Sequence, residues 1–134
     1  MVRLTIDSYL VYTYIGIYFK GGTYSMKLLI VGSRSITDFD LSPYISADVD
    51  TVISGGAGGI DSLAERYADL HRLSKYILRP CYSIYGRAAP LKRNEEMVEM
   101  ADAVLIIWDG CSKGTQYTLE YTKKINKPIT LVRL

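Results

Sequence analysis

Between residues 52 and 61 the chain reads Val52-Ile53-Ser54-Gly55-Gly56-Ala57-Gly58-Gly59-Ile60-Asp61, a short apolar run entering a turn with four glycines in five residues. An amphipathic segment leaves that turn, with Ile60, Leu63, Ala64 and Tyr67 at i, i+3, i+4 and i+7. A strand, glycine turn and helix in succession restrict the chain to few architectures. Glycine admits positive φ and lets another molecule approach bare N–H groups. The helix that follows points its positive end into the same space, which favours an anion such as phosphate. A tight turn packed on its own sheet needs two or three glycines; four, with small Ser54 and Ala57 among them, point to a ligand. The stretch completes neither the GxGxxG dinucleotide fingerprint nor a Walker A sequence.

At 134 residues the chain is one domain, large enough to bury a core unaided. Its 49% hydrophobic and 22% charged content is that of a soluble globular protein, and a net charge of +2 is too small to announce a nucleic-acid or membrane partner. Cys81 and Cys111 form no CxxC, and His71 is the single histidine, so no metal site is expected. The cysteines read as free thiols in a reducing, cytoplasmic setting, with a disulfide as the open alternative.

Residues 1–25 differ from the rest. Tyr9, Tyr12, Tyr14, Tyr18 and Tyr24 crowd them, and their apolar part is about half the roughly twenty residues a membrane helix needs. They read as an appended, poorly ordered extension with Met26 as the natural start; broken alternation leaves an edge strand or hairpin as the alternative. From Met26 onward strands and helices alternate. Strands are expected at 27–31, 51–53, 75–78, 103–108 and 129–132, and helices at 60–71, 91–100 and 116–125. A short helix is expected at 43–47, where Ser42-Pro43 resembles a helix start. The pattern specifies an α/β fold: a Rossmann-like three-layer α/β/α sandwich on a mainly parallel five-stranded sheet, with 26–134 as a single domain.

In such a sheet the strand-to-helix turns emerge along one edge, where ligands bind. That edge gathers Arg34, Arg79, Arg87, Lys92, Arg93 and Lys113 against Asp61 and Asp109. Cations beside glycine turns suit an anionic ligand. Asn94, inward on its helix, must bond either a neighbouring turn or a ligand. Asp61 can accept from a ribose hydroxyl or stabilise its helix dipole. Ser112, Gly114 and Thr115 offer hydroxyls and N–H groups to a phosphate, or simply cap a helix.

The segments Lys27-Leu28-Leu29-Ile30-Val31-Gly32-Ser33-Arg34, 54–61, Arg93-Asn94, Ala101-Asp102 and Gly110-Cys111-Ser112-Lys113-Gly114-Thr115 together resemble the SLOG superfamily. That group unites the DNA-processing protein DprA, the LOG phosphoribohydrolases and small YspA-type proteins. The last are most similar, through 85–94 and Trp108-Asp109-Gly110. The resemblance spans 26–134. It implies a nucleotide or nucleotide-derived ligand, no defined cofactor, and ligand contacts from Gly32, Ser33, Arg34, Gly55, Gly56, Arg93, Asn94, Gly114 and Thr115; the two glycine-containing turns themselves add Ser54, Ala57, Gly59, Asp61, Gly110 and Ser112 as candidates. LOG enzymes release the base from nucleoside monophosphates with an arginine and the glutamate of GGxGTxxE. Arg93 matches that arginine, Thr118 stands at the glutamate position, and Glu120 lies two residues later. Three readings follow: a nucleotide-binding protein, a phosphoribohydrolase with catalytic Arg93 and Glu120, and a small single-stranded DNA binder like DprA. No membrane partner is expected, and by resemblance the chain pairs as a homodimer.

Overall fold

The computed structural model describes residues 26–134 in full, together with the backbone of 2–6 and 9–14. The remainder of the first 25 residues, and with it most of the expected extension, lies outside the described residues.

Seven strands form one sheet: β1 (Val2–Ile6), β2 (Tyr9–Tyr14), β3 (Met26–Gly32), β4 (Val49–Ser54), β5 (Ser74–Ile77), β6 (Ala103–Trp108) and β7 (Ile129–Arg133). Their order is β1-β2-β7-β6-β3-β4-β5. The five strands after Met26 are all parallel, as the alternating pattern requires. β1 and β2 add an antiparallel hairpin along β7, so its edge amides and carbonyls are paired.

Four helices connect the parallel strands: α1 (Ile60–Leu70), α2 (Tyr82–Tyr85), α3 (Ala89–Met100) and α4 (Lys113–Lys124). α4 starts three residues before its expected position, because Gly114, read as a turn residue, sits in its first turn behind Ser112. The helix expected at 43–47 is only a single 3₁₀ turn, Ser42–Tyr44; extended Ile45 ends it.

The apolar runs explain the layers. Side chains alternate across a strand. Leu28 and Ile30 of β3 and Leu105 and Ile107 of β6 therefore face one core, with Ile60, Ala64 and Ala68 of α1. Leu29, Val31, Val104 and Ile106 face the other, with Met97 and Val98 of α3 and Leu119 of α4. α3 and α4 run side by side, and the Tyr117 hydroxyl donates to Glu95 Oε1 at 2.7 Å. One turn further along, the Tyr121 hydroxyl donates to Glu99. The carboxylate neighbour drives the Tyr121 phenol up to about 12. Among the described residues no helix is long and apolar enough to cross a membrane.

The sheet order places the site. Leaving β3 the chain turns to β4 on one side, and β6 flanks β3 on the other, so β3 and β6 diverge at a topological switch point. Gly32 closes β3 there. A Cβ on it would stand 2.3 Å from Ile107 O and 2.5 Å from Ile60 Cγ1. Gly32→Ala should therefore cost about 1–3 kcal/mol through overpacking. Urea unfolding checks this, and an unchanged midpoint would refute the close packing of α1 on β3.

Candidate functional site

At the switch point a cleft of about 330 Å³ opens. Its walls come from the loop after β3 (33–35), from α3, and from the start of α4 with the loop before it. Pro90, Leu91 and Met97 make an apolar side. Arg34, Asp61, Asn94, Ser112 and Thr115 supply polar groups opposite.

Ser33 joins the loops. Its N–H donates to Ile107 O at 3.1 Å, and its carbonyl accepts from Ile36 N and Ile60 N. Its hydroxyl oxygen accepts from Asp109 N at 3.0 Å and from the Ser112 hydroxyl at 2.8 Å. Asp109 shapes the second turn: Oδ1 accepts from the N–H groups of Cys111 and Ser112, each at 2.8 Å, and Oδ2 from the Ser35 hydroxyl. The backbone donors of Ser112 and Cys111 hold this carboxyl far below the usual carboxylate range.

That turn delivers α4. The first intrahelical bond runs from Gln116 N to Ser112 O. The N–H groups of Lys113, Gly114 and Thr115 thus have no acceptor within the helix. A Cβ on Gly114 would meet nothing within 4 Å, so the backbone lies open there. Thr115 is 7% exposed and lines the cleft, and its hydroxyl has no protein partner among the described residues.

The glycine turn plays a different part. Arg93 NH1 donates to Gly55 O at 2.7 Å and to Leu78 O at 3.2 Å, while Nε donates to Asn94 Oδ1 at 2.8 Å. Arg79 NH1 donates to Gly56 O at 2.9 Å. The glycines are required by these neighbours. A Cβ on Gly55 would stand 2.9 Å from the Arg93 guanidinium, and one on Gly56, where φ is +71°, 2.5 Å from that of Arg79. Gly59, with φ +68°, approaches the carbonyls of Ser33 and Arg34, at 2.5 Å from its would-be Cβ. Two of the turn's donors are engaged as well: Gly56 N with the Ser54 hydroxyl and Ala57 N with Asp61 Oδ2.

The structure therefore divides the expected site residues. Gly32, Ser33, Arg34, Ala57, Asp61, Arg93, Asn94, Ser112, Gly114 and Thr115 line one cleft. Ser54, Gly55, Gly56, Gly59 and Gly110 stand outside its lining, the first four within or beneath the turn that Arg93 and Arg79 brace. Gly110, with φ +82°, lies against the Arg133 side chain, which stacks on Trp108. Glu120 is exposed, away from the cleft, and accepts from Gln116 Nε2. Thr118 is the α4 residue at the cleft floor, its hydroxyl donating to Gly114 O. Asn94 does not itself lock the glycine turn; Arg93 does, with Asn94 accepting behind it.

The gathered cations are likewise reduced by local partners. Arg79 and Arg93 hold carbonyls, and Lys92 pairs with Glu95 at 3.4 Å. Arg34 lines the cleft exposed, with no hydrogen bond or close ion pair of its side chain among the described residues, though its charge is felt by Asp61. Burial lowers the Arg93 pKa, against the opposing pull of Asp61. Burial also raises the pKa of Asp61, opposed by the Ala57 N–H and the Arg93 charge. Residues that sequence reasoning did not assign to the site, Val31, Leu91 and Met97, line the cleft because the β3–β6 and α3–α4 packing brings them there. Their signal was position at strand ends and on the inward stripe of the helices that follow. Cys81 and Cys111 are free, exposed thiols.

No protein-family model matches the chain, and neither a curated protein nor a solved structure matches it.

Asp61 yields a pH test. Its pKa is higher folded than unfolded, so the folded chain holds the proton more tightly. That contribution is complete below the unfolded value, about 3.9, and is lost as pH rises through the folded value. Asp61→Asn keeps an acceptor for Ala57 N without the charge. Its unfolding free energy relative to wild type should climb as pH rises from about 4 to about 7. Denaturant titrations across that range check it; a flat difference would refute the burial penalty.

Proposed function

We propose that this chain is a nucleotide- or nucleotide-derivative-binding protein of the SLOG superfamily that seats the phosphate of its ligand on the start of α4. One observation carries the reading: at the switch-point cleft, the helix start presents unbonded N–H groups beside a bare Gly114 backbone and the unpartnered hydroxyl of Thr115. A helix N-terminus attracts a phosphate through those donors and its dipole. Arg34 adds an exposed cation on the same cleft, and Pro90, Leu91 and Met97 give an apolar side on which a base can rest. The anion site is the second glycine-containing turn, with the first as its support.

Binding without hydrolysis fits better than the phosphoribohydrolase reading. Glu120 faces away from the cleft, and Thr118 at the family's glutamate position has no acid to offer. A cleft of about 330 Å³ matches a small ligand rather than the several phosphate contacts of a DNA strand. Cytoplasmic residence follows from the ligand class and belongs to the proposal.

Thermal unfolding with nucleoside monophosphates, sugar nucleotides and an oligonucleotide tests this. A true ligand at a hundred times its Kd adds about 2.7 kcal/mol of stability. Arg34→Ala should weaken binding about tenfold or more, through loss of a charge-assisted hydrogen bond. The bound nucleotide should be recovered intact by chromatography. Failure of every phosphate-bearing compound to raise the midpoint would overturn the proposal, and release of free base would establish the hydrolase instead.

A further inference from the structure

We infer that Arg93 sets the polarity of the cleft, by holding Asn94 so that the ligand group facing it must be a hydrogen-bond acceptor. This rests on the reading of the cleft as an anionic-ligand site and adds what one wall of it recognises. A carboxamide has one accepting and one donating end of nearly equal shape, so its neighbours decide which end faces where. A guanidinium has donors only. The Asn94 atom 2.8 Å from Arg93 Nε must therefore be the oxygen. Arg93 cannot swing to accommodate the other orientation, because NH1 is tied to Gly55 O and Leu78 O, the ends of two neighbouring strands. Asn94 Nδ2 is left directed away from Arg93. Among the described residues nothing accepts from it, and Asn94 lines the cleft.

The same polarity recurs around the opening. The α4 N–H groups, the Arg34 guanidinium and the Asn94 amide are all donors. Asp61 is the opposing acceptor, and its Oδ2 is already occupied by Ala57 N. The ligand atom that meets Asn94 is thus an oxygen of the anion or a carbonyl-type acceptor on the body attached to it. Arg93 is a positioning residue: its two engaged nitrogens serve the protein, and it acts on the ligand through Asn94.

Asn94→Asp tests the polarity with little change of shape. A carboxylate accepts from Arg93 Nε at least as well as the amide does, so the fold and the lock on the glycine turn persist. The face toward the cleft changes from donor to anion. The unfolding midpoint should match or exceed that of wild type, while adenosine monophosphate binds about ten- to a hundredfold more weakly by calorimetry. Equal binding by the variant would overturn the inference while leaving the cleft reading standing; no binding of any phosphate-bearing compound by wild type would overturn both.

A double-mutant cycle then tests the role of Arg93. Arg93→Lys keeps the charge but not the fork that orients Asn94. It should weaken adenosine monophosphate binding in the wild-type chain and have little further effect in Asn94→Ala. Equal losses in both backgrounds would mean that Arg93 does not work through Asn94. In NMR spectra of the wild type, the Asn94 side-chain amide should move on ligand addition. A shift with inorganic phosphate alone would place the acceptor on the phosphate, and one seen only with adenosine monophosphate would place it on the nucleoside; no shift with either would overturn the inference.

Discussion

Everything on the cleft edge of the sheet hangs from Ser33. Its amide, carbonyl and hydroxyl reach the end of β6, the start of α1 and the turn before α4. A residue so placed must be small, since its side chain is almost wholly buried between three backbone segments. It must also be polar, because those segments end in groups that would otherwise be buried without partners. Gly59 is the complement of this arrangement. The first loop and the glycine turn approach so closely that a side chain at 59 would collide with the carbonyls of Ser33 and Arg34. The switch point is therefore a stitched junction in which each loop terminates on another.

The charges follow a similar economy of position. A tally of arginines and lysines near the strand ends overstates the field available to a ligand, since several are engaged by carbonyl oxygens or by carboxylates. What remains is directional: donors at the head of α4, the Arg34 side chain, and the amide of Asn94. Dipoles fixed in advance by their neighbours stabilise an anion without reorganising when it arrives. Asp109 appears unfavourable for an anion site, yet its oxygens are turned onto Cys111, Ser112 and Ser35, where they shape the α4 entry.

The parallel strands were legible because each is a short apolar run whose alternate residues meet different cores; β3 and β6 are the clearest cases. Helix α1 was legible from its periodicity, with its end within a residue of expectation. The site was half legible. Its residues lie at strand ends and helix starts, which topology alone brings to one edge. Their division of labour was not. Glycine is equally suited to a ligand's approach and to an arginine's, and composition does not distinguish the two. Gly55 and Gly56 accommodate guanidinium groups contributed by residues 93 and 79, distant in sequence. The face of Glu120 was readable, because about 100° per residue carries it away from the side shared by Thr115 and Thr118. The hairpin of β1 and β2 was open to only weak reading, since its alternation is broken and its partner, β7, is the last strand of the chain.

The paired bonds between α3 and α4 bear on the shape of the cleft. The two helices make opposing walls of the cleft, and Tyr117 and Tyr121 fasten them to Glu95 and Glu99 at successive turns. Helices clamped at two levels cannot part like a hinge. The segment 82–88 that leads into α3, by contrast, buries none of its side chains and exposes Tyr82, Ile84 and Tyr85. The cleft thus has helix walls braced as one piece, next to a connection that leaves its apolar side chains in solvent.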